Sequence, residues 1–147
     1  HGAAVPLLTL LPETFHPRVV PISYGGLDAK AQFDFGRALK TVLVDRPERI
    51  AVIASGDLAH CLTSDAPAGF KPEGAIFDAS MREAVEQASA SRLLALDQDV
   101  VAASAECGYR PLLVELGILD GMRLRPEVLS YEAPFGVGYL VAQFHFA

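Results

Sequence analysis

An apolar run at residues 50–54 ends directly in the polar segment SGDLAH at residues 55–60, and this junction constrains the fold most strongly. A short β-rich run that ends in Gly and Asp is typical of a buried strand leading into a functional loop. Open α/β sheets bind their ligands at the carboxyl ends of their strands. His60 is therefore a candidate acid or base, because the pKa of an unperturbed histidine lies near neutrality.

The segment upstream of this junction predicts a strand–helix–strand unit. Residues 18–24 and 49–54 have strand composition, although Pro21 favours an edge position for the first. Between them, Asp28 is a plausible N-cap for a helix that runs to about Val44 with helically spaced apolar residues. Such a unit builds a parallel sheet. We therefore expect an α/β fold with a mixed, largely parallel central sheet and helices on both faces.

The rest of the chain predicts further helices and a strand pair. Residues 3–11 could form a short helix that Pro12 ends, and the Pro- and Gly-containing residues 61–75 are typical of an extended loop. Three further helices are predicted, with N-caps at Asp78, Ser91 and Asp97, and the third ends near Glu106. Pro111 suits the first turn of another helix that continues to about Leu119. Residues 127–131 and 137–146 predict a C-terminal antiparallel strand pair. We expect residues 1–147 to form a single α/β domain.

Composition excludes several classes of partner. The net charge is −6 and no Lys/Arg cluster offsets it, so nucleic acid is an unsuitable ligand. No apolar run approaches the roughly 20 residues of a membrane-spanning helix. The two cysteines are too few for a disulfide framework and favour a reducing cytoplasm. An exposed edge strand near Val20 or Phe144 would allow a homo-oligomer.

Three residues of the SGDLAH segment are candidate site residues. His60 is either an acid–base group or a histidine held by a backbone hydrogen bond, and Gly56 and Asp57 favour the first interpretation. Gly56 permits close approach of the backbone, and Asp57 can cap a turn or orient the imidazole. Asp57 by itself is more typical of a structural role.

A second candidate group lies at Glu106-Cys107-Gly108, between two predicted helices. A carboxylate or a thiolate there could bind a metal ion, but a solvated Glu106 and an inert, buried Cys107 explain the pattern at least as well. No H-x-x-E or H-x-H motif accompanies it, so these residues do not form a complete metal site alone. His1, His16 and His145 favour surface positions on the residues alone. Because the sequence begins with His1 and not Met, we expect it to be part of a longer protein.

Several motifs in order resemble one enzyme superfamily. They are HGAAVPL at 1–7, VPIS at 20–23, SGDLAH at 55–60, AECGYRP at 105–111, LSY at 129–131 and FGVGY at 135–139. Together they resemble the C-terminal portion of LigB-type class III extradiol dioxygenases and their Memo-like relatives. The resemblance spans essentially the whole chain and implies a LigB-like catalytic domain that lacks its N-terminal segment.

The resemblance also implies a ligand set. In the family a non-haem Fe(II) is held by two histidines and one glutamate, which leaves positions open for a catecholate and O2. The two histidines belong to the N-terminal segment, and the third ligand corresponds to Glu106, or to Cys107 as in Memo-like relatives. The acid–base histidine corresponds to His60 and a pocket histidine to His1. Ala59 stands where the family usually has Ser.

Two functions follow from the resemblance. The first is Fe(II)-dependent extradiol cleavage of a small aromatic diol with O2, a reaction of aromatic catabolism, completed by the N-terminal segment. The alternative is a Memo-like non-dioxygenase that binds metal, such as zinc or copper, in the same cleft. A purely structural domain with a vestigial site is a third interpretation.

Overall fold

A computed structural model describes residues 2–147, which form α-helices and one antiparallel strand pair. The elements in chain order are α1 (Ala4–Leu10), α2 (Ala29–Leu43), α3 (Pro72–Glu86), α4 (Ala90–Leu94), α5 (Gln98–Ser104), α6 (Tyr109–Ile118), β1 (Leu124–Glu132) and β2 (Tyr139–Phe146). The mixture of helix and strand and the C-terminal antiparallel pair are confirmed.

The first two helices form where their sequence signals predict them. α1 ends before Pro12, and the carboxylate of Asp28 caps α2 by accepting the N–H of Ala31 at 2.8 Å. α2 packs on α6 where Gly36 faces Gly117. A Cβ on Gly36 would lie 2.9 Å from the Cα of Gly117, so the two backbones approach as closely as glycine allows.

The third helix begins earlier than predicted. The expected loop over residues 61–75 ends at Pro72, which starts α3 because proline suits the first turn of a helix. Asp78 therefore lies inside α3 and is not its N-cap, and it is buried. Ser89 caps α4 in place of the predicted Ser91, whereas Asp97 caps α5 as predicted.

The predicted parallel sheet does not form within the described residues. Residues 18–24 and 49–54 are irregular in the structure, and they make no backbone–backbone hydrogen bonds with the rest of residues 2–147. A strand needs a neighbouring strand to satisfy its N–H and C=O groups, and none lies beside either segment. Their apolar side chains consequently face outward; Val20 is 80% exposed and Ile50 is 47% exposed.

The strand pair contains an irregularity that redirects one face of β1. Val128 pairs with Ala142, but Ser130 pairs with Val141, so Leu129 is the extra residue of a β-bulge. Side chains alternate between the two faces of a strand, and the bulge shifts this alternation by one residue. As a result Val128 and Tyr131 both lie toward the core, while Leu129 is 53% exposed.

The core lies between the helices and the segment that follows SGD. Leu58, Ala59 and Cys61 are buried against α3, α5 and α6. Within it the rings of Phe77 and Tyr109 meet edge to face, with centroids 6.4 Å apart. The SGDLAH segment thus enters the hydrophobic core, which fixes the backbone on both sides of His60.

None of the helices in residues 2–147 has the length and apolar character needed to cross a membrane.

Candidate functional site

The backbone around His60 is held by hydrogen bonds on both sides. The N–H of Leu58 donates to the carbonyl oxygen of Gly138 at 2.8 Å, and the N–H of Gly138 donates to Ala59 at 2.9 Å. On the opposite side, the N–H of His60 donates to the carbonyl oxygen of Ser104, at the end of α5, at 2.9 Å. The imidazole is therefore presented from a rigid segment and not from a free loop.

Two glycines bring the SGD segment against the loop before α6. A Cβ on Gly56 would lie 2.6 Å from the Cα of Gly108, which only glycine avoids. This contact lets two reciprocal bonds form: the N–H of Cys107 donates to the carbonyl oxygen of Asp57 at 3.2 Å, and the N–H of Asp57 donates to the Cys107 Sγ at 3.1 Å. The expectation that Gly56 permits a close backbone approach is met.

Asp57, His60 and Cys107 form one cluster. Their candidate ligand atoms all lie within 4.8 Å of one another, and the Nε2 of His60 is 3.4 Å from the Oδ2 of Asp57. Nevertheless Nε2 is buried and has no well-formed hydrogen bond among the described residues. A buried polar atom without a partner carries a free-energy cost. The cluster offers an imidazole nitrogen, a carboxylate oxygen and a sulfur, which are atom types that bind divalent cations.

The surroundings of Cys107 keep its thiol protonated when no cation is present. Burial raises the pKa of the Cys107 thiol, and the nearby carboxylates of Asp57 and Glu106 raise it further. The N–H of Asp57 acts in the opposite direction. A thiol of raised pKa is a weak nucleophile, so this geometry favours ligand chemistry over covalent catalysis.

Glu106 is engaged elsewhere in the same loop. Its Oε2 accepts the N–H of Tyr109 at 2.7 Å, which caps α6, and its Oε1 lies 3.7 Å from the guanidinium of Arg110. Its side chain is only 3% exposed. Burial raises the pKa of the Glu106 carboxyl, and the contacts with Tyr109, Arg110 and His60 partly oppose this. The cluster thus contains the Cys107 thiol, whereas the Glu106 carboxylate caps α6.

Two residues that the sequence did not identify as site residues, Asp78 and Tyr131, lie next to the segment that carries His60. Asp78 of α3 accepts the N–H of Ala59 at 2.8 Å and the hydroxyl of Tyr131 at 2.7 Å. The guanidinium of Arg82 lies 4.7 Å from the centre of the Tyr131 ring. Asp78 lies on the same face of α3 as the apolar residues Met81 and Val85. A carboxylate on an otherwise apolar helix face is the sequence signal that could have identified Asp78 as a buried, hydrogen-bonded residue.

The remaining candidate histidines lie away from this cluster or outside the description. His1 lies outside the described residues. His16 is exposed, in agreement with a surface position. The Nε2 of His145 lies 2.9 Å from a carboxylate oxygen of Glu127 on the neighbouring strand, so His145 makes a cross-strand surface contact.

Comparison with known proteins identifies the family. The model of the family described as the catalytic LigB subunit of aromatic ring-opening dioxygenase matches residues 1–142, and the chain therefore belongs to the LigB family. The chain is also similar to protein CA_C1420 of Clostridium acetobutylicum, with 35% identity over 139 residues. That match covers 95% of this chain but 30% of the relative, so the chain spans less than a third of the relative's length.

Family membership gives the cluster its chemical context. The LigB family is described as the catalytic subunit of aromatic ring-opening dioxygenase. Within the described residues, the group suited to metal binding is the one formed by Asp57, His60 and Cys107.

Proposed function

We propose that this chain contributes an acid–base histidine and a metal-binding side chain to an enzyme that opens the ring of a small aromatic diol with O2. The observation that carries the proposal is the Nε2 of His60, which is buried, lacks a well-formed hydrogen bond among the described residues, and lies beside Asp57 and Cys107. An imidazole nitrogen that is not consumed by the fold can exchange a proton with a substrate.

His60 acts at its Nε2 atom. Neutral imidazole accepts a proton from a diol hydroxyl at this nitrogen, and the imidazolium returns it during ring opening. Asp57, whose Oδ2 lies 3.4 Å from that nitrogen, stabilises the imidazolium and fixes the ring plane. The side chain is 26% exposed but Nε2 itself is buried, so proton exchange at this atom requires a substrate that enters the cluster.

The cation proposed for this site is Fe(II). Cys107 is the protein ligand that the cluster offers on the α6 side, and Glu106 would have to leave the α6 cap to replace it. When bound, the metal would lower the pKa of the diol hydroxyls and activate O2. Further ligands, including the two histidines implied by the family resemblance, are proposed to come from polypeptide outside these residues.

A missing part of the polypeptide would also explain why residues 18–24 and 49–54 are irregular. Both segments expose apolar side chains and unpaired backbone groups, which are the properties of unpartnered strands. We propose that they pair with strands outside these residues to form the largely parallel sheet that the sequence predicts. His60 would then lie just beyond the carboxyl end of a sheet strand, where α/β enzymes bind substrates.

Turnover tests the proposal directly. The full-length protein, loaded anaerobically with Fe(II), should convert members of a catechol panel to ring-opened products on admission of O2. His60→Ala should reduce kcat by ~10²- to 10⁴-fold with an unchanged unfolding midpoint, and the exposed His16→Ala is the matched control. Absence of turnover over the whole panel in an iron-loaded, folded protein would refute the proposal.

A second function is favoured by Cys107. Soft thiolate ligands select copper or zinc more than the two-histidine, one-carboxylate sites of Fe(II) oxygenases do. If Asp57, His60 and Cys107 all bind one cation, the Nε2 of His60 is a ligand and cannot also move a proton. The chain would then be a Memo-like metal-binding protein without ring-cleavage activity.

Metal analysis separates the two functions. The protein is purified without added metal, its bound metals are quantified, and each metal is tested for turnover. Stoichiometric zinc or copper that is lost in both His60→Ala and Cys107→Ser would support the second function. Iron retained in His60→Ala, with loss of turnover only, would support the first.

A further inference from the structure

Asp78 is an unusual residue for its position. It lies in the middle of α3, it is 2% exposed, and its neighbours along the helix face are the buried Phe77, Met81 and Val85. A carboxylate in such a position costs free energy unless its oxygens are well paired. A residue that only filled space here would be apolar.

Both carboxylate oxygens of Asp78 are paired. Oδ1 accepts the N–H of Ala59 at 2.8 Å, and Oδ2 accepts the hydroxyl of Tyr131 at 2.7 Å. Tyr131 reaches Asp78 because the bulge at Leu129 turns it toward the core. Burial raises the pKa of the Asp78 carboxyl, and the hydrogen bonds from Tyr131 and Ala59 and the cation of Arg82, which is stacked on the Tyr131 ring, partly oppose this.

The backbone just before β2 leaves room for the Asp78 carboxylate. A Cβ on Gly138 would overlap the Oδ2 of Asp78 and lie 3.0 Å from the Cβ of Leu58. Gly138 also forms the two backbone bonds to Leu58 and Ala59 described above. Ala59 is therefore bonded through its carbonyl to Gly138 and through its N–H to Asp78.

We propose that Asp78 is a positioning residue for His60, acting through the Ala59 backbone, with Tyr131 holding the Asp78 carboxylate in place. The inference rests on the proposed role of the His60 cluster. The Ala59 N–H is the one backbone donor between Leu58 and His60 that a side chain holds. Replacing the Asp78 carboxylate removes the acceptor of this N–H and frees the peptide that precedes His60. The imidazole then samples orientations away from Asp57 and Cys107. Mutation of residues that support a site in this way typically lowers metal affinity or activity ~10- to 100-fold.

Four variants of the full-length protein test the proposal. Asp78→Leu removes both acceptors at similar volume, Asp78→Asn keeps an acceptor oxygen for Ala59, and Tyr131→Phe releases Oδ2. Glu86→Gln is the matched control, because it makes the same chemical change at an exposed position of α3. The readouts are amide hydrogen exchange at Ala59 and His60, Zn²⁺ affinity by calorimetry, and kcat and KM for the diol.

In Asp78→Leu we expect at least ~10-fold faster exchange at Ala59. If His60 moves a proton, kcat should also fall with little change in KM, and if His60 is a ligand, Zn²⁺ binding should instead be ~10- to 100-fold weaker. In Asp78→Asn the exchange rate, the Zn²⁺ affinity and kcat should all stay close to their wild-type values, and Glu86→Gln should not change them. If Asp78→Leu does not fold, a several-fold faster exchange at Ala59 in Tyr131→Phe is the expected result.

Folded Asp78→Leu or Tyr131→Phe protein with unchanged exchange and unchanged Zn²⁺ affinity would overturn the proposal. The exchange and Zn²⁺ measurements need no turnover. Wild-type protein that opens no ring would therefore remove the dioxygenase function and leave the role of Asp78 to be decided by those two readouts.

Discussion

Gly56 lies directly against the backbone of Cys107: a Cβ on Gly56 would be 2.5 Å from the carbonyl oxygen of Cys107. Residues on either side of this contact supply all three members of the Asp57–His60–Cys107 cluster. The site is therefore assembled by two segments about 50 residues apart that meet backbone to backbone. Any side chain at position 56 would force those segments apart.

Gly56→Ala should weaken both the fold and the site. We expect a loss of about 1–3 kcal/mol in the free energy of unfolding, which is typical of forced overpacking. The free energy of Zn²⁺ binding should lose a larger fraction of its wild-type value than the free energy of unfolding does. Gly26→Ala is the control, since a Cβ at Gly26 would meet nothing within 4 Å. Denaturant unfolding and calorimetry measure the two quantities. Zn²⁺ affinity equal to that of Gly26→Ala would show that the contact does not shape the site.

Gly36→Ala should destabilise the protein without acting on the site. Its Cβ would overlap the carbonyl oxygen of Val114 and press on Gly117, so α2 and α6 must separate. The expected cost is about 1–3 kcal/mol, measured by urea unfolding. Zn²⁺ affinity at a temperature where the variant is folded should equal that of wild type. A stability unchanged from wild type would contradict the close α2–α6 packing.

Glu115 should make the stability depend on pH. Burial raises the pKa of the Glu115 carboxyl from 4.5 to about 7. The unfolded chain therefore loses this proton at lower pH than the folded chain does, and the stability that it contributes is complete below pH 4.5 and lost as the pH rises through about 7. At about 1.4 kcal/mol per pH unit, the loss approaches about 3 kcal/mol.

Glu115→Gln isolates this contribution. The variant cannot ionise, so it should be more stable than wild type at pH 8 and close to wild type at pH 4.5. Urea unfolding of both proteins at pH 4.5, 6, 7 and 8 gives the difference, in which contributions from other carboxyl groups cancel. A difference that stays constant over this range would show that Glu115 is solvated in the folded protein.

Local sequence signals correctly predicted the starts of α2 and α5 but not those of α3 and α4. Asp28 and Asp97 cap helices as predicted, because an N-cap bond involves only neighbours two or three residues away. Residues 18–24 and 49–54 were predicted as strands on the same kind of signal. Strand formation needs a partner strand, and within residues 2–147 they have none.

The site was only partly predictable for a similar reason. Gly56, Asp57 and His60 are adjacent in sequence, so one motif identified them together. Whether Glu106 or Cys107 joins them depends on which of two consecutive side chains faces the SGD loop, and only the fold decides this. In the structure the Sγ of Cys107 faces Asp57 and the Glu106 carboxylate caps α6.

A cobalt(II) titration tests the central claim most directly. Cobalt bound through a cysteine thiolate gives a near-ultraviolet charge-transfer absorption that carboxylate and histidine ligands do not. We predict this band in the wild-type full-length protein and in Glu106→Gln, and its loss in Cys107→Ser, with Cys61→Ala as the control for the other thiol. A band that persists in Cys107→Ser, or cobalt binding without a band that Glu106→Gln abolishes, would contradict a metal site in which Cys107 is the ligand from the loop before α6.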